Sequence, residues 1–184
     1  SMFTLIAALA LIMELATGYP DRLYRAIGHP VTWIGSLITL LDRNMNREGG
    51  NHGARQLAGV ATVSALLVSS VTAGLAIQWL AGHGWGLLVV ALLAGTLLAQ
   101  RSLAAHVAAV AGALETGGVV AGRKAVSQIV GRDPQSLDEA AVARAAIESL
   151  AENFSDGITA PAFWIAVGAL PGGLAYKAVN TADS

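Results

Sequence analysis

Leu57-Ala-Gly-Val-Ala-Thr-Val-Ser-Ala-Leu-Leu-Val-Ser-Ser-Val-Thr-Ala-Gly-Leu-Ala-Ile-Gln-Trp-Leu80 contains no formal charge. An α-helix needs ~20 apolar residues to cross the hydrocarbon core of a bilayer. This stretch alone therefore predicts a membrane-spanning helix. Ala81-Gly82-His83-Gly84 leads directly into a second apolar run, Trp85–Gln100. Trp79 and Trp85 flank the turn, and tryptophan collects at the membrane–water boundary. The pair predicts a hairpin of two spans, the second either continuing past Arg101, whose long side chain can snorkel, or tilting little. Upstream, Phe3–Thr17 predicts another apolar helix with Glu14 as an interfacial residue near its end. No Lys or Arg precedes that helix and no clear small-x-small site follows it, which argues against a cleaved signal peptide. Ser1 ahead of Met2 reads as a cloning remnant.

The rest of the composition agrees. Of 184 residues 54% are hydrophobic, only 12% are charged and 5% are aromatic. Ala, Leu, Val and Gly supply the apolar mass, as in closely packed membrane helices. A net charge of −1 without a basic run gives no surface for nucleic acid. With no cysteine there is no disulfide and no thiolate metal site. Arg22, Arg25, Arg43, Arg47 and Arg55 lie between the first and second apolar segments, whereas 81–84 has no Lys or Arg. Arg101, Arg123, Lys124, Arg132 and Arg144 follow the third. The positive-inside rule then puts 20–56 and 101–157 in the cytoplasm, with 81–84 and the N-terminus outside.

The predicted fold is all-α: a polytopic helical membrane protein with three to four membrane segments plus cytoplasmic amphipathic helices. It reads as one domain, 1–184. Residues 2–100 anchor it. Within them 30–46 is an amphipathic helix that begins at Pro30 and presents Ile34, Leu37, Ile38, Leu41 and Met45 on one face. That face lies either on the inner membrane surface with Trp33 as anchor or against the domain itself. Arg47–Gly53 reads as a polar loop. Residues 101–157 are the cytoplasmic helices: Ser102–Glu115, ended by Gly117-Gly118; Val119–Val130, capped by Gly131; and a helix from the capping box Ser136-Leu-Asp-Glu139 to about Phe154, broken by Gly157 and Pro161. Residues 158–184 are an apolar segment interrupted by Pro161, Pro171, Gly172 and Gly173, followed by a polar end. A re-entrant 158–176 is the favoured reading, because a full crossing would carry Lys177 and Asp183 outside.

In a chain this poor in charge, the cluster Arg144-Ala-Ala-Ile-Glu148-Ser-Leu-Ala-Glu152-Asn153-Phe-Ser155-Asp156-Gly157 needs a reason. Arg144, Glu148 and Glu152 recur every four residues and so share a helix face. Carboxylates beside an amide suit Mg²⁺ bound together with phosphate oxygens; an ion-paired, solvated face is the plain alternative. His29 is held extended by Pro30, either to present its ring or to cap the helix. Gly131-Arg132-Asp133-Pro134 precedes a helix start that could hold phosphate or be an ordinary turn. Arg101-Ser102 is an anion ligand or a membrane-edge anchor. Lys177, Asn180, Thr181 and Asp183 gather at the end. There is no P-loop, no Gly-x-Ser-x-Gly elbow and no His-Glu-x-x-His pair. The histidines have no metal-ligand spacing.

Several stretches together resemble the cobalamin-biosynthesis membrane family CobD/CbiB, the adenosylcobinamide-phosphate synthases. They are Gly18-Tyr-Pro-Asp-Arg-Leu23, His29-Pro-Val-Thr-Trp-Ile-Gly35, Arg101-Ser-Leu103, Ile129-Val-Gly-Arg-Asp133, Arg144–Asn153, Ser155-Asp-Gly157, Ala160-Pro-Ala-Phe-Trp164 and Ala175–Ser184. The resemblance implies an ATP-dependent ligase that joins adenosylcobyric acid to aminopropanol phosphate or a related amino alcohol. ATP and Mg²⁺ would be the cofactors and the corrinoid a substrate. It implies Glu148, Glu152 and Asp156 as catalytic carboxylates and Mg²⁺ ligands. His29, Arg101, Ser102, Arg132, Asn153, Lys177, Asn180 and Asp183 would bind substrate. The expected partners are the lipid bilayer, the two substrates, and further copies of the chain or other cobalamin-assembly proteins, at a bacterial inner membrane with the active side cytoplasmic. Family members continue past the Asn-Thr-x-Asp-Ser motif, so an end at Ser184 reads as a C-terminal truncation. The related AmpE-like branch, a regulatory membrane protein, and a small transporter subunit are the alternative readings.

Overall fold

A computed structural model describes residues 1–18, 25, 28–45, 52–131 and 133–183. Among these every regular element is helical, as the sequence predicts. The elements are α1 (Met2–Thr17), α2 (Pro30–Met45), α3 (His52–Ala81), α4 (Gly86–Gly95), α5 (Gln100–Val126), α6 (Glu139–Phe154), a π-helical turn (Ser155–Thr159) and α7 (Ala160–Asp183). Three helical stretches are long and apolar enough to cross a membrane: His52–Ala81, Gly86–Val126 and Glu139–Asp183. Arg22, Arg47 and most of the predicted 47–53 loop lie outside the described residues, and so does Arg132. The chain packs as two compact units: Ser1–Leu98 with Ala160–Ser184, and Ala99–Thr159.

In the first unit, α1 buries Ile6, Ala7, Ala10 and Glu14 along one face. They meet Val90, Ala91 and Ala94 of α4, then Leu97 and Leu98, and Ile165, Ala169 and Leu170 of α7. A Cβ on Gly95 would stand 3.2 Å from the carbonyl oxygen of Ala10. The two helices thus touch backbone to backbone, the close approach that small residues allow. Glu14 is not interfacial: it is 6% exposed and its Cβ lies beside Gly95. The turn before α4 uses left-handed Gly82 and Gly84 (φ 65° and 68°). Trp79 and Trp85 beside it are 81% and 85% exposed. α3 carries Leu57, Val60, Val63, Val68 and Leu75 outward, as a lipid-facing helix does.

α2 begins at Pro30 as expected. Its apolar face is covered by protein: Ile34 is buried with Leu66 of α3 and Ala178 of α7, and Leu37, Ile38 and Leu41 pack around them. α7 is folded at Gly168–Ala169, where Ala169 adopts φ 50°. Pro171 offers no N–H there to continue the helix. Gly172 packs directly against the carbonyl of Trp164, eight residues away; a straight helix would separate them by about 12 Å. α3 crosses α7 at this fold through Gly74, whose Cβ position lies 2.7 Å from Pro171 Cα.

The second unit has its own core of Val110, Val126, Val142, Ala145 and Ala146. Val110 and Val126 belong to α5 and would be about 24 Å apart on a straight helix. Gly118 (φ 62°, ψ −161°) bends α5 so that they meet, at the Gly-Gly pair that the sequence marks as a break. The second half of α5 ends at Val126, short of Val130, in a run of turns. The cap of α6 is Asp138 rather than Ser136, its carboxylate accepting from Ala141 N–H at 2.7 Å. Gly157 and Pro161 do not break the helix, contrary to expectation. The backbone widens through the π turn, and α7 resumes with Pro161 in its first turn, where a missing N–H costs little.

Candidate active site

The acidic cluster sits on α6 because its apolar residues recur at helical spacing. Val142, Ala145, Ala146 and Ser149 face the core, which leaves Glu148 and Glu152 exposed on the adjoining strip. Ser149 is the one hydroxyl on the buried side, 6% exposed. It donates to the carbonyl of Ile129 at 2.8 Å, twenty positions upstream. Asn153 Nδ2 donates in turn to Ser149 Oγ (3.1 Å) and to Ser149 O (2.8 Å).

These bonds hold the 129–131 turn against α6. Between the two is a polar pocket of about 170 Å³ lined by Ile129, Val130, Gly131, Ala145, Glu148, Ser149 and Glu152. Sites for whole cofactors or drug-sized ligands run from ~300 Å³ upward. This one has room for a small charged group. Arg132, which follows Gly131, lies outside the described residues. The turn beyond it is set by Asp133, whose Oδ1 accepts from Gln135 N–H at 3.0 Å.

Asp156 lies in the π turn one step beyond. Gly157 O accepts from Ala99 N–H at 3.0 Å, and this brings Asp156 to the same end of the unit as Arg101 and Ser102 at the start of α5. Ser102 in turn meets His106, whose Nδ1 lies 2.7 Å from Ser102 O.

The first unit holds the remaining predicted residues. His29 caps α2: its Nδ1 accepts from Val31 N–H at 3.2 Å, and its carbonyl accepts from Thr32 N–H (2.8 Å) and Thr32 Oγ1 (2.7 Å). An accepting Nδ1 puts the ring proton of the neutral imidazole on Nε2. Burial, and then the charge of Lys177 on α7, hold the His29 pKa below its ordinary 6.5, so at neutral pH the ring is uncharged. Lys177 O accepts from Thr181 Oγ1 at 2.7 Å, and Asn180 lies on the next turn. Asp183 is the last residue of α7. Cation and imidazole thus share one place in this unit.

Glu148, Glu152 and Asp156 do not form a three-carboxylate cage: among the described residues no three His, Cys, Asp or Glu side chains group closely enough to hold a metal ion. The physical reason is length, since residues eight apart stand about 12 Å apart along a helix. Mg²⁺ seldom needs such a cage. It keeps several waters and takes one or two carboxylates along with substrate phosphates, and the pocket's pair of glutamates fits that mode. Ser149 and the backbone of 129–131 have no site role in the sequence pattern alone. A small polar residue at a core position of an amphipathic helix was the available signal.

The family model described as CobD/Cbib protein matches residues 7–184. The chain is 52% identical over 182 residues to the cobalamin biosynthesis protein CobD of a Sinorhizobium species, covering 98% of this chain and 56% of that protein. It is 50% identical over 183 residues to the protein of the same name from Rhodobacter capsulatus (99% and 57%), and 47% identical over 182 residues to that of Brucella suis (98% and 56%). It therefore spans little more than half the length of these curated relatives. No solved structure matches it.

Proposed function

Because the chain belongs to the CobD/CbiB family, we propose that it is the membrane-anchored part of a ligase of cobalamin biosynthesis. The reaction is amide formation between the free carboxylate of adenosylcobyric acid and the amine of aminopropanol phosphate or a related amino alcohol. ATP phosphorylates the carboxylate and leaves as ADP. The amine nitrogen then attacks the acyl carbon, inorganic phosphate departs, and a carboxylate of the protein takes the amine's proton.

The single observation that supports this reading is the pocket in which Glu148 and Glu152 face the 129–131 turn. A reaction between anions needs charges arranged in advance to bring them together, and a general base must reach the proton it removes. Glu148 and Glu152 supply the base and, with Asp156, the negative charge that would hold Mg²⁺. That ion would neutralise the nucleotide phosphates when bound. Arg101 and Arg132 serve the phosphates or the corrinoid carboxylate. Neutral His29 and the charge of Lys177 stand close together in the first unit, a pairing suited to another anionic group. The crowding of Lys and Arg in 20–56 and 101–157 supports a cytoplasmic active side on the bacterial inner membrane.

The test is ATP turnover and amide formation by the protein in detergent, with adenosylcobyric acid and amine present together or singly. Turnover that needs all three supports the ligase. Binding of the corrinoid without ATP cleavage would instead favour a regulatory protein.

A further inference from the structure

Within the first unit, α2, α3, the end of α4 and the second half of α7 line a groove of about 390 Å³. Small-ligand sites begin at ~300 Å³. Besides the Trp33 indole, only three of the lining side chains are polar: Ser69, Ser70 and Thr96. Two of these hydroxyls are turned onto their own helices. Ser69 Oγ donates to Leu66 O at 3.0 Å, and Thr96 Oγ1 donates to Leu93 O at 2.6 Å. Ser70 differs. It is 9% exposed, lines the groove, and makes no hydrogen bond among the described residues. A buried hydroxyl without a partner is costly and uncommon.

The wall of the groove is strained where α7 folds. Ala169, next to the lining residue Leu170, holds φ 50°, a conformation an alanine seldom takes. Strain of this kind collects at ligand sites. Trp33 and Leu93 of the lining are exposed, as are Val89 and Leu92 on α4, so the groove is continuous with the lipid-facing surface.

Position narrows the chemistry of an occupant. Ser70 stands eleven residues before Ala81, the end of α3 at the Trp79–Trp85 turn, which is about 16 Å along the axis. That distance reaches the centre of a bilayer core of ~30 Å. A charged ligand is excluded there. The ester groups of phospholipids lie at the edge of the core, too far away to meet Ser70. The partner must be an uncharged acceptor that sinks into hydrocarbon. A carbonyl oxygen takes the Ser70 proton and brings no proton of its own to be left unpaired.

We propose that this groove binds a neutral lipid whose carbonyl oxygen lies within the hydrocarbon layer, with Ser70 donating to that oxygen and the apolar wall holding the chain. The site is separate from the acidic pocket and does not depend on the ligase reading.

Native mass spectrometry of the chain released from detergent micelles tests it, with occupancy measured against added ligand. Three probes share a ten-carbon chain: a decyl-substituted benzoquinone, glycerol monodecanoate, and decylbenzene, which has no oxygen. At least one carbonyl probe should bind roughly five-fold more tightly than decylbenzene, the effect of one hydrogen bond between neutral groups. The tighter of the two identifies the source as a ring carbonyl or an acyl ester. Ser70→Ala should remove that preference and leave decylbenzene unchanged. Ala73→Phe fills the groove from an exposed position, so it should keep the fold and lose all three probes.

Equal binding of the three probes by the wild type would mean an ordinary lipid tail only and would overturn the proposal. So would an unchanged preference in Ser70→Ala, or full binding by Ala73→Phe.

Discussion

Gly74→Ala adds one methyl where α3 crosses the fold of α7. The new Cβ would lie 2.7 Å from Pro171 Cα and 2.8 Å from Pro171 N. Both are backbone atoms of a ring-constrained residue, so neither can swing aside. Overpacking of this kind costs about 1–3 kcal/mol. Replacing a helical glycine by alanine otherwise gains about 0.5–1 kcal/mol. Gly59 lies on the same helix with nothing within 4 Å of its Cβ position, so Gly59→Ala records that gain by itself. The difference between the two variants is then the contact alone. At about 2–4 °C per kcal/mol for a chain of this size, Gly74→Ala should melt roughly 5 °C below Gly59→Ala. Circular dichroism of the helix band during heating in detergent measures both. Equal melting temperatures would show that α3 and α7 do not cross at Pro171, and the arrangement of Lys177 beside His29 would lose its support.

Glu152→Lys should leave helix content intact, because the side chain is exposed, and should abolish the proposed ligation; wild-type turnover would remove Glu152 from the proposed site. Asp138→Ala should destabilise the chain by about 1 kcal/mol by uncapping α6, read as a lower melting temperature, and an unchanged value would argue for Ser136 as the cap. The depressed pKa of His29 means that, as pH falls below 6.5, the unfolded chain takes up a proton before the folded one does. Stability should therefore decline from about pH 6.5 down to the folded-state pKa and be insensitive to this group above 6.5. His29→Gln should flatten that part of the melting-temperature profile; an identical profile in the variant would show that another group titrates.

What the sequence made readable was whatever depends on neighbours. The charge-free run through Leu57–Leu80 needs only its own length to identify a span, and Pro30 and Gly117-Gly118 act on the backbone at their own positions. Glu148 and Glu152 were legible as a face because helical periodicity is local. Contacts between distant segments were not. Ser149 meets Ile129 across twenty positions, and Gly74 meets Pro171 across the whole second unit's stretch of sequence. Glu14 looked interfacial because its burial depends on Gly95, whose missing side chain leaves no mark on α1. The π turn was hidden for a different reason: Gly157 and Pro161 are usual helix breakers, and nothing local shows that the backbone can widen by one residue and carry on.

The shortness of α4 has a consequence of its own. Ten residues rise about 15 Å, half of a hydrocarbon layer some 30 Å thick. A chain that enters at Trp85 would reach its non-helical stretch, 96–99, near mid-depth, where oil offers nothing to a peptide group. Thr96, Leu97 and Leu98 answer with tight turns back to the residues just before them, and Leu97 and Leu98 are shielded by protein. Anything that strips that shield would strand amides in the driest part of the bilayer.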